Sequence, residues 1–108
     1  MLVKYVEGYP VVGKDALFSY MNVNQIDVEE GITELANYAF ATKDNSNCLI
    51  QNINLPSTIN KIGYWALIET KNINFTSGHC NGVKIDSSAW YNNSVVTPST
   101  CVLGQNIN

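Results

Sequence analysis

Large apolar residues recur along this chain in two local patterns that keep step with each other. In the first, an aliphatic residue precedes an alanine by four positions, and a large apolar residue follows that alanine at once. The copies are Val12-Gly13-Lys14-Asp15-Ala16-Leu17, Leu35-Ala36-Asn37-Tyr38-Ala39-Phe40, Ile62-Gly63-Tyr64-Trp65-Ala66-Leu67 and Ile85-Asp86-Ser87-Ser88-Ala89-Trp90. Successive alanines are 23, 27 and 23 residues apart. In the second pattern two large residues flank a single polar one, at Ile26/Val28, Ile53/Leu55 and Ile73/Phe75, with weaker copies at Val6/Gly8 and Cys101/Leu103. From Val6 through Ile26, Ile53 and Ile73 to Cys101 the spacings run 20, 27, 20 and 28. A period in the twenties is the mark of a solenoid, and alternation over a few residues predicts half-buried strands.

The expected fold is an α/β solenoid: a short right-handed stack of parallel strands, with short strands or single helical turns on the outer side. It forms one domain over residues 1–108, in about four repeats centred near Ala16, Ala39, Ala66 and Ala89. Residues 1–8 read as an edge strand with Val3 and Val6 inward and Tyr5 and Glu7 outward. Ala16-Leu17-Phe18 supply a first rung of core, and Val23, Ile26 and Val28 a second strand. Ile50, Ile53 and Leu55 form the third, which Pro56 stops because proline cannot donate to a ladder. Ala41 to Asn47 is the most polar loop. After Asn92 the pattern loosens, and Gln105 to Asn108 are expected to be mobile.

The order I-x-L-P followed by I-x-x-I-G-x-x-A-F, best seen in INLPSTINKIGYWAL and IDVEEGITELANYAF, resembles the BspA-like leucine-rich repeats of bacterial surface proteins. The likeness covers nearly the whole chain, although the third strand ends in Phe75-Thr76 with no proline and the last repeat is polar. It implies a cell-surface or secreted protein engaged in adhesion or host contact.

Composition narrows the picture further. Nine acidic and six basic residues give a net charge of −3, and every basic residue is a lysine. A nucleic-acid binder would show a basic stripe, and without arginine there is no bidentate fork for phosphate. No run approaches the ~20 apolar residues of a membrane span. The opening MLVKYVEGYP lacks a signal peptide's basic segment and apolar core. That leaves either a cytoplasmic protein or a chain from within a longer or processed one. Three cysteines are an odd number. Cys48 and Cys80 fall at different repeat phases and Cys101 on an inward strand position, so free thiols are expected.

Little in the sequence suggests catalysis. His79-Cys80 is the one His/Cys pair, but sequence neighbours in a Gly-flanked loop rarely face each other as a nucleophile and its base must. Its spacing matches no metal site. The acidic residues Asp27, Glu29, Glu30 and Glu34 lack the calcium-loop order and read as a solvated face. Asn74-Phe75-Thr76 and Asn92-Asn93-Ser94 match the glycosylation sequon. No enzyme, cofactor or metal is expected.

The candidate site is the outward row of the sheet. Two columns are predicted, Tyr5/Gln25/Asn52/Asn72/Thr100 and Glu7/Asp27/Asn54/Asn74/Val102, stacking at about 4.8 Å per strand. The binding residues expected are Gln25, Asp27, Asn52, Asn54, Asn72 and Asn74, either as an amide ladder or as a polar surface for a protein or glycan. A second aromatic patch, Tyr38, Tyr64 and Trp65, is expected on the opposite side. The sequence therefore points to a non-enzymatic binding module, with a purely structural spacer as the alternative. Because the apolar rungs at the ends lack a cap, either self-association through the solenoid ends or edges or else neighbouring domains are expected.

Overall fold

A computed structural model describes residues 1–14, 24–41, 50–68 and 70–107. Among these the chain forms nine strands and no helix. They are β1 (Leu2–Val3), β2 (Val11–Val12), β3 (Gln25–Val28), β4 (Glu34–Leu35), β5 (Ile50–Leu55), β6 (Lys61–Ile62), β7 (Thr70–Phe75), β8 (Lys84–Ile85) and β9 (Val95–Thr97). Odd-numbered strands make one five-stranded sheet and even-numbered strands a four-stranded one. Every ladder is parallel, and each strand pairs with the strand two along in sequence. This is a parallel β-solenoid of about three turns, with its core between the two sheets. The expected rung Ala16-Leu17-Phe18, Val23, most of the Ala41–Asn47 loop and Cys48 lie outside the described residues.

The alternating positions fill the core. Ile26 pairs with Ile53 and Ile53 with Ile73, while Leu55 pairs with Phe75. All of these side chains are buried, as are Leu35, Ile62 and Ile85 from the outer strands. Ala39, Ala66 and Ala89 have no exposed surface, since each sits where one rung meets the next.

The outer side carries two-residue strands and tight turns where helical turns were one expectation. Each turn closes over four residues: Ala39 N donates to Ala36 O (3.1 Å), Ala66 N to Gly63 O (3.2 Å) and Ala89 N to Asp86 O (3.2 Å). An apolar residue four before an alanine suits a helix as well as a strand followed by a turn. Close stacking decides for the strand. A Cβ at Gly63 would lie 2.7 Å from the backbone nitrogen of Asn37 in the rung before, so glycine lets the rungs meet.

The two ends depart from the expected register. Val3 pairs with Val28, so β1 is offset by five residues from an alignment of Val6 with Ile26. Val6 is 60% exposed and accepts a bond from Tyr9 N in a small reverse turn. Val6 lies past the end of β1 at Val3, and its bridge to Tyr9 carries it away from the parallel ladder. Tyr5, expected outward, packs against the core, with its ring where a side chain at Gly31 would stand. At the other end β9 pairs Val95 with Asn72 and Thr97 with Asn74, displacing Thr100 and Val102 from the expected columns.

Free thiols are not what the structure shows for Cys80 and Cys101. They form a disulfide across 21 residues, with Cα atoms 6.0 Å apart. That separation is close to one short repeat, which places the two residues in the same phase of neighbouring turns. Nor is the tail loose through Asn106. Ile85 N donates to Gln105 O (3.0 Å), and the side-chain amide of Asn106 donates to Val83 O (2.9 Å). Residues 101–106 thus close the free edge of β8.

Candidate functional site: the polar face of the five-stranded sheet

The six predicted residues come together on one face. Gln25, Asn52 and Asn72 stand in register on β3, β5 and β7, and Asp27, Asn54 and Asn74 form the neighbouring column. They face outward because their strand neighbours Ile26, Ile53 and Ile73 face inward, and side chains on a strand alternate. Asn52 is exposed and the other five are half-buried.

Hydrogen bonds run along the second column in one direction. The Asn74 amide donates to Asn54 Oδ1 (3.0 Å), and the Asn54 amide donates to Asp27 Oδ1 (2.7 Å). Gln25 adds a bond to the same carboxylate oxygen at 3.1 Å. Asn72 instead donates to the backbone oxygen of Gln51 (2.9 Å). The Asn54 bond, with that of Gln25 second, holds the Asp27 carboxyl below its ordinary value, because a bond to the charged form favours it. The face offers amide and carboxylate groups at strand spacing on a stiff support. It can hydrogen-bond a partner.

Other candidate groups have structural partners. Cys80 is committed to its disulfide, and His79 is exposed, its Nδ1 accepting from Asn81 N at 3.3 Å. The acidic residues point to separate partners, as strand alternation implies. Glu29 accepts from Tyr5 N (2.9 Å), Glu30 from Ser57 N and Oγ (2.8 and 2.7 Å), and Glu34 lies 3.9 Å from Lys61. The Ser57 hydroxyl bond, then its backbone bond, lowers the Glu30 carboxyl. The aromatic trio does form a patch. Ring centroids are 5.6 Å apart for Tyr38–Tyr64, 6.1 Å for Tyr38–Trp65 and 5.7 Å for Tyr64–Trp65.

Sequence reasoning missed two features. The disulfide was signalled by a cysteine spacing close to the repeat period. The end positions of the columns, Leu2 and Thr97 beside Asp27 and Asn74, carried no such signal.

A stack of short parallel strands built from repeats is a parallel β-solenoid, a class with which leucine-rich repeats are consistent. Residues 9–102 match the BspA type leucine rich repeat region in six copies. The chain belongs to that family. No curated protein and no solved structure matches it. Among the described residues no helix is long and apolar enough to cross a membrane.

Proposed function

We propose that this chain is a non-enzymatic binding module that meets a protein or glycan through the polar face of its five-stranded sheet. The supporting observation is the register of Gln25, Asn52 and Asn72 beside Asp27, Asn54 and Asn74 on three adjacent strands. Donors and acceptors fixed on a rigid sheet suit a hydroxyl-rich or backbone-rich partner. The face has few apolar anchors, so one copy binds weakly and several copies act together. A bacterial cell surface, the setting the family resemblance implies, supplies such multiplicity. The test is a glycan and matrix-protein array probed with a multimerised form. Binding should fall in Asn52→Ala with Asn74→Ala and persist in Lys61→Ala with Lys84→Ala on the other sheet. Loss with the lysine pair alone would place the site elsewhere.

The internal bonds of the ladder favour a second reading, in which the face is scaffold and the chain a structural spacer. On that reading the asparagine pair loses much stability and changes no binding. On the first it loses about 0.5–1.5 kcal/mol for each bond removed.

A further inference from the structure

The corner between the outer strands and the next rung carries a feature that the polar face does not explain. In the turns 36–39 and 63–66 the third residue has a left-handed backbone, with φ of 63° at Tyr38 and 58° at Trp65. Such turns favour glycine or asparagine there, and bulky side chains are strained. The corresponding turn at 86–89 closes in the same way with Ser88 and without positive φ. The fold therefore tolerates a small polar residue at this position, yet two successive rungs hold aromatics.

The backbone fixes the rings relative to each other. Tyr38 N donates to Tyr64 O (2.8 Å), and Trp65 N donates to Ser88 O (2.9 Å). Asn37 Oδ1 accepts from Tyr64 N (2.8 Å). Tyr64 and Trp65 stack at 20°, and Tyr38 meets Tyr64 edge-on at 70°. Tyr38 and Tyr64 each keep 38% of their surface exposed and Trp65 is half-buried, while Phe40, Phe75 and Trp90 are buried and Tyr9 and Tyr91 are exposed outside this cluster. Beside the rings the next rung presents Ser87, exposed, and Ser88, half-buried. The flanking Ala39 and Ala66 are fully buried, so the turns themselves expose aromatic surface, with Ile107 exposed along the groove beside Asn37 and Gly63.

We infer that Tyr38, Tyr64 and Trp65 form a carbohydrate-stacking site, separate from the sheet face, for the apolar face of a neutral sugar. Ring faces carry negative potential, which attracts the polarised C–H bonds on one face of a pyranose. Asn37, Ser87 and Ser88 stand at the margin, where the sugar's hydroxyl rim falls. Tyr and Trp also favour protein interfaces, and a peptide that perturbs these residues where no glycan does would show that partner instead. The site stands whether or not the sheet face binds anything.

The experiment uses the whole chain and an array of neutral oligosaccharides, followed by titration of chitotriose and cellotetraose. Binding should be saturable and perturb the amide resonances of Tyr38, Tyr64 and Trp65. Trp65→Asn removes a ring while suiting the left-handed backbone, so the protein should stay folded with binding about tenfold weaker or lost. Lys4→Ala, exposed and outside both the aromatic corner and the sheet pair Asn52/Asn74, should leave this binding unchanged. The inference is overturned if no neutral glycan binds, or if Trp65→Asn binds like the parent. It also fails if the sheet pair abolishes binding while Trp65→Asn does not, or if only a proline-rich peptide perturbs the three residues. A Trp65→Asn protein that melts well below the parent, with no glycan bound by either, would make the rings a purely structural brace.

Discussion

Reducing the Cys80–Cys101 bridge gives the sharpest test of how this solenoid ends. The bridge closes a loop across 21 residues, and in the chain-entropy treatment a loop of that size lowers the unfolded state's entropy by about 3 kcal/mol at room temperature. Around it the tail is held by weaker ties. Ile85 N bonds to Gln105 O (3.0 Å), and the Gln105 amide reaches Cys80 O and Sγ at 3.4 and 3.2 Å. Asn106 bonds to Val83 O. These bonds hold a tail that covers the edge of β8, so they weaken once the tail is no longer tethered. Against a typical total of roughly 5–15 kcal/mol, losing about 3 kcal/mol is severe and should lower Tm by roughly 10–20 °C. Thermal and urea unfolding by circular dichroism, with and without reductant, measures it. Cys80→Ala with Cys101→Ala should melt near the reduced protein, and reductant should not shift that variant further. Alkylation and mass spectrometry before reduction should leave Cys80 and Cys101 unmodified. Modification of both, or equal unfolding midpoints for oxidised and reduced protein, would refute the reasoning.

Further outcomes follow from packing and charge. Gly63→Ala puts a methyl group against Asn37 and should cost about 1–3 kcal/mol by overpacking, read from urea midpoints. Leu55→Asp places a carboxylate in a site with no exposed surface. It should abolish cooperative unfolding, and a normal transition would show that the position does not face the core. Asp27 has a folded pKa below its ordinary 3.8. Its contribution is therefore fully present above that value and lost as pH falls through the lower folded value. Solvent screening keeps the effect small, and Asp27→Asn should flatten that part of the acid limb in a pH series of unfolding midpoints.

The middle of the stack was legible because two constraints act on the same residues. Ile53 must satisfy a period of two along β5 and also match Ile26 and Ile73 on either side. An end strand has a neighbour on one side only, so half of that selection is missing. Val6 and Cys101 looked like repeat positions for that reason, although Val3 and Val96 hold the rungs. The outer side was ambiguous for a different cause, since Ile62 and Ala66 are spaced for a helix as well as for a strand and turn. Left-handed backbone at Tyr38 and Trp65 could not be read at all, because glycine and asparagine are its usual markers. The outward placement of Gln25, Asp27, Asn52, Asn54, Asn72 and Asn74 was legible because each stands next to an inward isoleucine, Ile26, Ile53 or Ile73.

The one-way ladder from Asn74 through Asn54 to Asp27 has a consequence for how such a chain can grow by duplication. An asparagine amide receives a hydrogen bond and passes one on, so a copied rung with asparagine at this position can be spliced in anywhere along the column. A carboxylate only receives. Asp27 is thus a terminus for the column, with Leu2 on its far side, and an aspartate copied into the middle would divide the ladder in two. Asparagine rungs can therefore be added within the column without interrupting it. The acid can stand only at the column's end, where the hydrogen bonds stop and not where the stack does.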